Sequence, residues 1–218
     1  MPDTNINISD LKKIGYEKAL NYQLKLNRKA IATRGTDNDP VELLLLEHQP
    51  PVITIGRRGS DSDILLAKPL IEKMGIEIFE SSRGGEVTYH GPGQLVGYCI
   101  MNLDRPGRSV RQHIQNLEEI IIQVLKKYNI DAHRSEGYTG VWIANEKIAA
   151  IGVAVEKWCT YHGFALNVNT NMEHFNLIVP CGIRDKGVIS MQKILGKEIS
   201  IEQIKKEIAE LFKSVYKF

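Results

Sequence analysis

The order of the apolar segments is the feature of this sequence that most constrains its fold. Strand-like runs occupy residues 41–47, 52–57, 76–80, 94–102, 140–144, 147–155, 162–169 and 187–191. Apolar residues at helical spacing instead fall in 9–32, 68–74, 109–128 and 199–216. Because strands in succession pair with one another while helices cover their faces, this order predicts an α+β domain. Its sheet is expected to be mixed or antiparallel, with flanking helices.

The length and charge of the chain argue against several classes of protein. The 218 residues predict one domain over 1–218, and 43% hydrophobic with 25% charged residues is ordinary for a globular protein. A formal net charge of +2 gives no reason to expect nucleic acid or an anionic membrane as a partner. The N-terminus lacks the features of a secretory signal, and the apolar runs are too short to cross a bilayer. We therefore expect a cytoplasmic protein and a monomer.

The cysteines offer one candidate nucleophile. Cys99, Cys159 and Cys181 form no CxxC pair and no zinc-ligand pattern, so neither a disulfide framework nor a metal site is predicted. Cys99 lies in an apolar strand and Cys159 beside a tryptophan, and both fit the usual state of a thiol, a small buried hydrophobic side chain. Cys181 lies between Pro180 and Gly182 on a predicted turn, where functional groups are frequent. A buried structural role is the alternative for Cys181.

The segment 83–94 is the second candidate for function. It holds four glycines, a proline, an arginine, a tyrosine and a histidine. Glycine lets a ligand approach the backbone closely and exposes N–H groups to it. The segment matches neither the phosphate-loop pattern nor the dinucleotide-binding glycine pattern. Its residues leave two interpretations open: a binding segment in which Arg83 faces an anionic or carbonyl group, or a tight loop between two strands that needs its glycines.

Lys147 begins an otherwise apolar strand. Most lysines are solvated, and an ordinary hairpin lysine is one interpretation. The other is an ammonium held near a thiol, where it would stabilise the thiolate. Spacing along the chain does not place Lys147 beside Cys181.

Several segments, taken together and in order, resemble one known family. They are 47–57 (EHQPPVITIGR), 83–98 (RGGEVTYHGPGQLVGY), 147–152 (KIAAIG), 162–168 (HGFALNV) and 180–183 (PCGI). Through them the chain is similar to the octanoyl-acyl carrier protein:protein N-octanoyltransferases, within the superfamily of biotin and lipoate protein ligases. The resemblance runs from about residue 14 to the C-terminus and is strongest over 40–195. It implies the ligase catalytic-domain fold, a mixed sheet with flanking helices.

The resemblance also implies roles for individual residues. Cys181 matches the cysteine that accepts the acyl group, and Lys147 matches the lysine that lowers the pKa of that thiol and exchanges protons. The positions that match the acyl substrate site are Arg83, Gly84, Gly85, Glu86, Val87, Thr88, Tyr89, His90, Ala150, Ile151, Gly152, Gly163, Phe164 and Ala165.

The implied activity is transfer of an octanoyl or lipoyl group from acyl carrier protein to a lysine ε-amino group, through a thioester on Cys181. The implied acceptors are lipoyl domains of 2-oxoacid dehydrogenase complexes or the glycine cleavage H protein. No cofactor and no metal are expected. One alternative is an ATP-dependent lipoate-protein ligase of the same fold. The other is a non-catalytic module that binds carrier protein.

Overall fold

The computed structural model describes residues 6–36, 39–104, 109–179 and 186–216. Its strands are β1 (Ile6–Ile14), β2 (Val41–His48), β3 (Val52–Ile55), β4 (Glu77–Glu80), β5 (Val87–His90), β6 (Gln94–Ile100), β7 (His133–Ser135), β8 (Tyr138–Ile143), β9 (Glu146–Glu156), β10 (Cys159–Asn167) and β11 (Gly187–Val188). Its α-helices are α1 (Tyr16–Ala32), α2 (Lys68–Lys73), α3 (Val110–Lys127), α4 (Met191–Leu195) and α5 (Ile201–Val215). Short 3₁₀ turns cover Asp61–Asp63 and Met172–Leu177.

Most of the strands form one large mixed sheet. Within the described residues its order is β1-β2-β6-β10-β9-β8-β7, with β11 added beside β9. β1 pairs parallel with β2 and β11 pairs parallel with β9, whereas the remaining neighbours pair antiparallel. β2, β6 and β10 are buried along their whole lengths, as central strands covered on both faces are. α3 and α5 cover one face of this sheet, and α1 packs against the other.

The helices begin and face the sheet for local reasons. The side chain of Ser109 accepts a hydrogen bond from the N–H of Gln112 and so starts α3, as Ser200 does for α5. Along α3, buried Leu117 and Ile121 recur at helical spacing and pack against the sheet. Within the described residues, no helix combines the length and apolar character that crossing a bilayer requires.

β3, β4 and β5 form a smaller sheet with the order β4-β3-β5. It has its own apolar cluster, in which Ile53 of β3 meets Ile71 of α2. The segment 83–86, between β4 and β5, reaches across to the large sheet. There the N–H of Gly84 donates a hydrogen bond of 3.0 Å to the carbonyl oxygen of Val153 on β9. The space between the two sheets is therefore closed along this line.

The observed elements confirm the predicted fold class and correct one helix. The prediction of a helix over 9–32 is wrong in its N-terminal part, because Ile6–Ile14 forms strand β1 and α1 begins at Tyr16. β1 pairs with the outer side of β2, whose backbone groups would otherwise lack partners along that edge. This pairing overrides the helical spacing of Leu11 and Ile14.

The glycine-rich segment is not a single tight loop between two strands. Its centre, Val87–His90, is strand β5, which pairs antiparallel with β3. The glycines flank that strand on both sides. The segment therefore combines a turn, a strand and a second turn, and alternate residues of the strand face opposite sides.

Candidate active site

A narrow cavity lies between the two sheets. Its lining comes from the turn before β5, from β5 itself, from β6, β9 and β10, and from the start of α1. The lining residues are Tyr16, Arg83, Gly84, Gly85, Glu86, Val87, Thr88, His90, Val96, Tyr98, Lys147, Ala150, Ile151, Gly152, His162, Gly163, Phe164 and Ala165.

Small residues on β9 and β10 make the floor of this cavity. Gly163 is in register with Gly152, and Ala165 is in register with Ala150. Alternate positions on a strand share a face, so each strand presents a glycine and an alanine to the same side of the sheet. On the next strand, β6, the residue in register with Gly163 is Tyr98. The side chains that face the cavity are therefore small on β9 and β10 and large on β6.

The turn 83–86 forms the roof. The buried guanidinium of Arg83 donates hydrogen bonds to the carbonyl oxygen of Thr54 at 2.7 Å and to that of Glu86 at 2.8 Å. It also donates to the Thr54 hydroxyl and to the carbonyl oxygen of Gly84. These bonds fix the turn above the large sheet. A Cβ atom at Gly152 would lie 2.8 Å from the carbonyl oxygen of Gly84, so the roof and floor meet there only because residue 152 has no side chain.

Aromatic and imidazole rings close the inner end of the cavity. We call this surface the inner wall; it consists of Tyr16, His90, Tyr98 and His162, all of them buried. His48 lies behind it, with its ring centroid 5.4 Å from that of Tyr16 and 5.7 Å from that of His90.

The polar atoms of the inner wall are paired within the protein. The hydroxyl of Tyr98 lies 2.7 Å from Nε2 of His48. Further pairs join His90 Nδ1 to Gln94 Oε1 at 2.8 Å, His162 Nε2 to Ser82 Oγ at 3.2 Å, and the Tyr16 hydroxyl to Ser81 Oγ at 2.9 Å. These polar groups form hydrogen bonds with other protein groups. The inner wall therefore presents mainly the faces and edges of rings to the cavity.

Burial keeps the histidines of this region neutral. It lowers the pKa of His48 to about 4, and burial together with the charge of Arg83 lowers the pKa of His162 to about 3. The pKa of His90 lies well below its usual value, first because of burial and then because of the nearby His48 and Arg83. At neutral pH the inner wall is therefore uncharged.

Lys147 lies where the cavity meets an outer groove. The groove is lined by Arg58, Gly84, Gly85, Glu86, Val110, Ile114, Gly137, Tyr138, Thr139, Lys147, Ile151, Gly152 and Val153. Nζ of Lys147 lies 4.8 Å from the ring centroid of Trp142, and Nζ of Lys186 lies 4.7 Å from the same centroid. Two ammonium groups therefore meet at one indole ring. We call this region the mouth of the cavity.

The structure brings together most of the residues that the sequence singled out. Lys147 and all the predicted substrate-site residues line the cavity, with the exception of Tyr89. Tyr89 lies on the opposite face of β5, where its hydroxyl is 2.8 Å from Nδ1 of His174 and its ring meets Phe175 edge-on. The predicted nucleophile, Cys181, falls outside the described residues.

Four cavity residues were missing from the sequence prediction. Val96, Tyr98 and His162 lie inside the segments that carry the resemblance, and the alternation of β6 would have placed Val96 and Tyr98 on one face. Tyr16 had no comparable signal, since it reaches the cavity from the first turn of α1.

The other two cysteines behave as the sequence predicts. Cys99 and Cys159 are both buried in apolar clusters. Burial, and then the charge of Asp39, raises the pKa of the Cys159 thiol to about 11. Neither thiol lines the cavity.

Comparisons with known proteins agree on one family. Residues 19–213 match the family model of the lipoyl protein ligase A/B catalytic domain. An octanoyltransferase from Caldicellulosiruptor saccharolyticus is 48% identical over 213 residues, covering 97% of this chain and 88% of that protein. An octanoyltransferase from Desulforamulus reducens is 46% identical over 212 residues, covering 97% of this chain and 91% of that protein.

A solved structure shares the fold at much lower identity. A bipartite lipoate protein ligase from Thermoplasma acidophilum is 18% identical and aligns with a TM-score of 0.72, covering 97% of this chain and 84% of that one. This likeness confirms the fold that the sequence resemblance implies. On the family model and the relatives together, the chain belongs to the lipoyl protein ligase A/B catalytic domain family.

Proposed function

We propose that this chain is an octanoyltransferase that moves an octanoyl or lipoyl group from acyl carrier protein to a lysine ε-amino group, through a thioester on Cys181. The acceptors are lipoyl domains of 2-oxoacid dehydrogenase complexes or the glycine cleavage H protein. This transfer is the first step of protein lipoylation from endogenous acyl groups. The family and the names of the relatives support octanoyl transfer, and the donor, acceptor and thioester are the proposed details.

The position of Lys147 is the observation that carries the proposal. Its side chain lines both the inner cavity and the outer groove. Lys186, the first described residue after 180–185, shares the indole of Trp142 with it. Val188 is then in register with Lys147. Lys186 and Val188, which follow the segment of Cys181 in the sequence, thus lie close to Lys147. We propose that the thiol and the ammonium meet at the mouth.

A cysteine–lysine pair suits acyl transfer between a thioester and an amine. An ordinary cysteine with a pKa of about 8.5 is only roughly 3% thiolate at pH 7. A nearby ammonium favours the charged thiolate, and each unit by which the pKa falls corresponds to about 1.4 kcal/mol. The thiolate is both a good nucleophile and a good leaving group, which the two successive steps require.

In the first step, the Cys181 thiolate attacks the carbonyl carbon of the octanoyl thioester on acyl carrier protein. The new carbon–sulfur bond forms as the bond to the phosphopantetheine sulfur breaks, and the Lys147 ammonium gives its proton to the departing thiolate. In the second step, the amine of the acceptor lysine attacks the thioester on Cys181 and loses a proton to neutral Lys147. An amide is formed and the thiolate is regenerated.

The cavity suits an acyl chain. Val96 and the ring of Tyr98 supply apolar surface, and the alanines of the floor leave room above β9 and β10. Burying each methylene of an acyl chain in such a site is worth about 0.8 kcal/mol. The proposed chemistry needs no ATP, metal or organic cofactor.

Intact mass spectrometry tests the proposal. The protein is incubated with octanoyl-acyl carrier protein without ATP and magnesium, and a hydroxylamine-sensitive octanoyl adduct on the peptide of Cys181 is expected. Added lipoyl domain should then discharge the adduct and gain an amide-linked octanoyl group. Cys181→Ala should abolish both reactions, whereas the matched variant Cys159→Ala should retain them.

The two alternatives give different results in the same experiment. Strict dependence on ATP with free octanoate as donor would assign the chain to the ligases. Binding of carrier protein without any acylation would indicate a binding module. Either result would overturn the proposed function.

A further inference from the structure

We propose that Tyr98, held in place by His48, sets the maximum length of the acyl chain that the cavity accepts. This inference rests on the proposed function, because it assigns the length limit of the same acyl site.

The first support is the change of residue size across the floor. Gly152 on β9, Gly163 on β10 and Tyr98 on β6 form one row across the sheet. The neighbouring row, which contains Ala165, reaches Val96 on the same strand. Because the roof lies directly on Gly152, a chain that crosses β9 and β10 passes over Ala150 and Ala165 and meets its first large side chains on β6.

The second support is the distance that the two strands span. Ala150 on β9 and Ala165 on β10 lie in one row that reaches Val96 on β6, so a chain that crosses the floor along this row extends from β9 towards β6. Two strand spacings amount to roughly 10 Å. An extended octanoyl chain is roughly 9 Å long, since single carbon–carbon bonds of about 1.5 Å follow a zigzag path. The terminal methyl group of an eight-carbon chain that begins above β9 is thus expected to reach β6, where Val96 and Tyr98 line the cavity.

The third support is the fixed position of the Tyr98 ring. Its hydroxyl pairs with Nε2 of His48 at 2.7 Å, and Nδ1 of His48 lies 3.2 Å from the carbonyl oxygen of Ile14. His48 is fully buried and is packed between the rings of Tyr16 and His90. Swinging Tyr98 aside would leave Nε2 of His48 buried without its partner, which is costly. A longer acyl chain therefore meets a rigid surface.

The test measures acyl-enzyme formation by intact mass with a series of acyl carrier protein donors carrying hexanoyl, octanoyl, decanoyl and dodecanoyl groups. The wild-type protein should load octanoyl fastest and discriminate against decanoyl. Tyr98→Leu shortens the wall, so the ratio of decanoyl to octanoyl loading rates should rise about 16-fold, at about fourfold for each of the two newly accommodated methylenes.

A matched control comes from a second buried tyrosine–histidine pair. The hydroxyl of Tyr216 lies 2.8 Å from Nδ1 of His113, on the other side of the large sheet and away from the cavity lining. Tyr216→Leu loses a comparable ring and hydrogen bond, so it should leave the chain-length profile unchanged. A thermal unfolding midpoint for each variant checks that it is folded.

The outcomes separate the inference from the proposed function. If the wild type loads octanoyl and a folded Tyr98→Leu protein keeps the wild-type profile, the inference is wrong. If Tyr98→Leu does not fold, Val96→Ile tests the same end of the cavity, because it adds bulk beside Tyr98 on β6. It should raise the ratio of hexanoyl to octanoyl loading about fourfold, and no change would overturn the inference. Failure of the wild type to load any donor refutes the proposed function, and the inference falls with it.

Discussion

Lowering the pH from 7 to 5 should destabilise this protein through its buried histidines. An imidazole in the unfolded chain has a pKa of about 6.5 and takes up a proton across this interval. His48 and His162 have folded pKa values of about 4 and about 3, so both remain neutral in the native state at pH 5. The unfolded state then binds more protons than the native state, and the free energy of unfolding falls as the pH falls.

The size of the effect follows from the interval between 6.5 and 5. For each histidine that stays neutral in the native state, the free energy of unfolding falls by about 1.4 kcal/mol for each pH unit below 6.5. By pH 5, His48 and His162 therefore each lower the free energy of unfolding by about 2 kcal/mol, or by about 4 kcal/mol together. His90 acts in the same direction. Above pH 6.5 these groups contribute no further pH dependence.

Urea unfolding at a series of pH values measures this loss. Carboxylates contribute to the same curve, so the informative quantity is the difference between two proteins. His162 has a φ angle of 62°, a region that asparagine tolerates, so His162→Asn removes the imidazole with little added backbone strain. Between pH 7 and 5, this variant should lose about 2 kcal/mol less than the wild type.

The exposed His133 provides the control, because His133→Gln replaces an imidazole that is solvated in both states. Its unfolding free energy should follow the pH dependence of the wild type. Parallel curves for the wild type and His162→Asn would show that His162 is protonated in the folded protein. The argument from burial would then be refuted.

Three further predictions concern the mouth, the roof and the core. Lys147→Ala should slow alkylation of Cys181 by iodoacetamide at pH 7, because the proposed thiolate loses its ammonium; the rate is measured by peptide mass against pH, and an unchanged profile would remove Lys147 from the mechanism. Gly152→Val should block octanoyl loading in a folded protein, since its Cβ atom would lie 2.8 Å from the carbonyl oxygen of Gly84; normal loading, seen by intact mass, would contradict the close approach. Phe212→Ala should lower the free energy of unfolding by about 3–5 kcal/mol, because a fully buried ring is removed from the core; urea unfolding checks this, and exposed Lys213→Ala on the same helix should change it by less than about 0.5 kcal/mol.

Local patterns in the sequence were sufficient for most elements of the fold. The helix that begins after Ser109 has both a cap and a regular apolar stripe, and both signals lie within a few residues. β1 instead carries apolar spacing that favours a helix, and its conformation depends on the edge of β2, which is distant in sequence. A prediction from local spacing therefore fails at β1 for a physical reason.

The candidate site was predictable in composition but not in geometry. The segments 83–90 and 150–152 line the cavity largely as the resemblance implies. Tyr89 was included because the segment was treated as continuous, whereas strand alternation turns it away from its neighbours Thr88 and His90. His48 and Tyr98 meet only because β2 and β6 are adjacent strands, and that pairing cannot be deduced from residue spacing.

The order of strands in the large sheet has a consequence for folding kinetics. β6 supplies Tyr98 of the inner wall. Its two neighbours are β2, which precedes it by the whole second sheet, and β10, which follows it by a long helix and three strands. Both pairings close long loops, and such non-local contacts form slowly compared with helices and hairpins. The β9–β10 hairpin, with its floor of glycine and alanine, can form early by local contacts. We therefore expect a partly folded chain to have the floor of the cavity before Tyr98 is in place. The proposed limit on acyl-chain length would then arise only when β6 has paired with both neighbours.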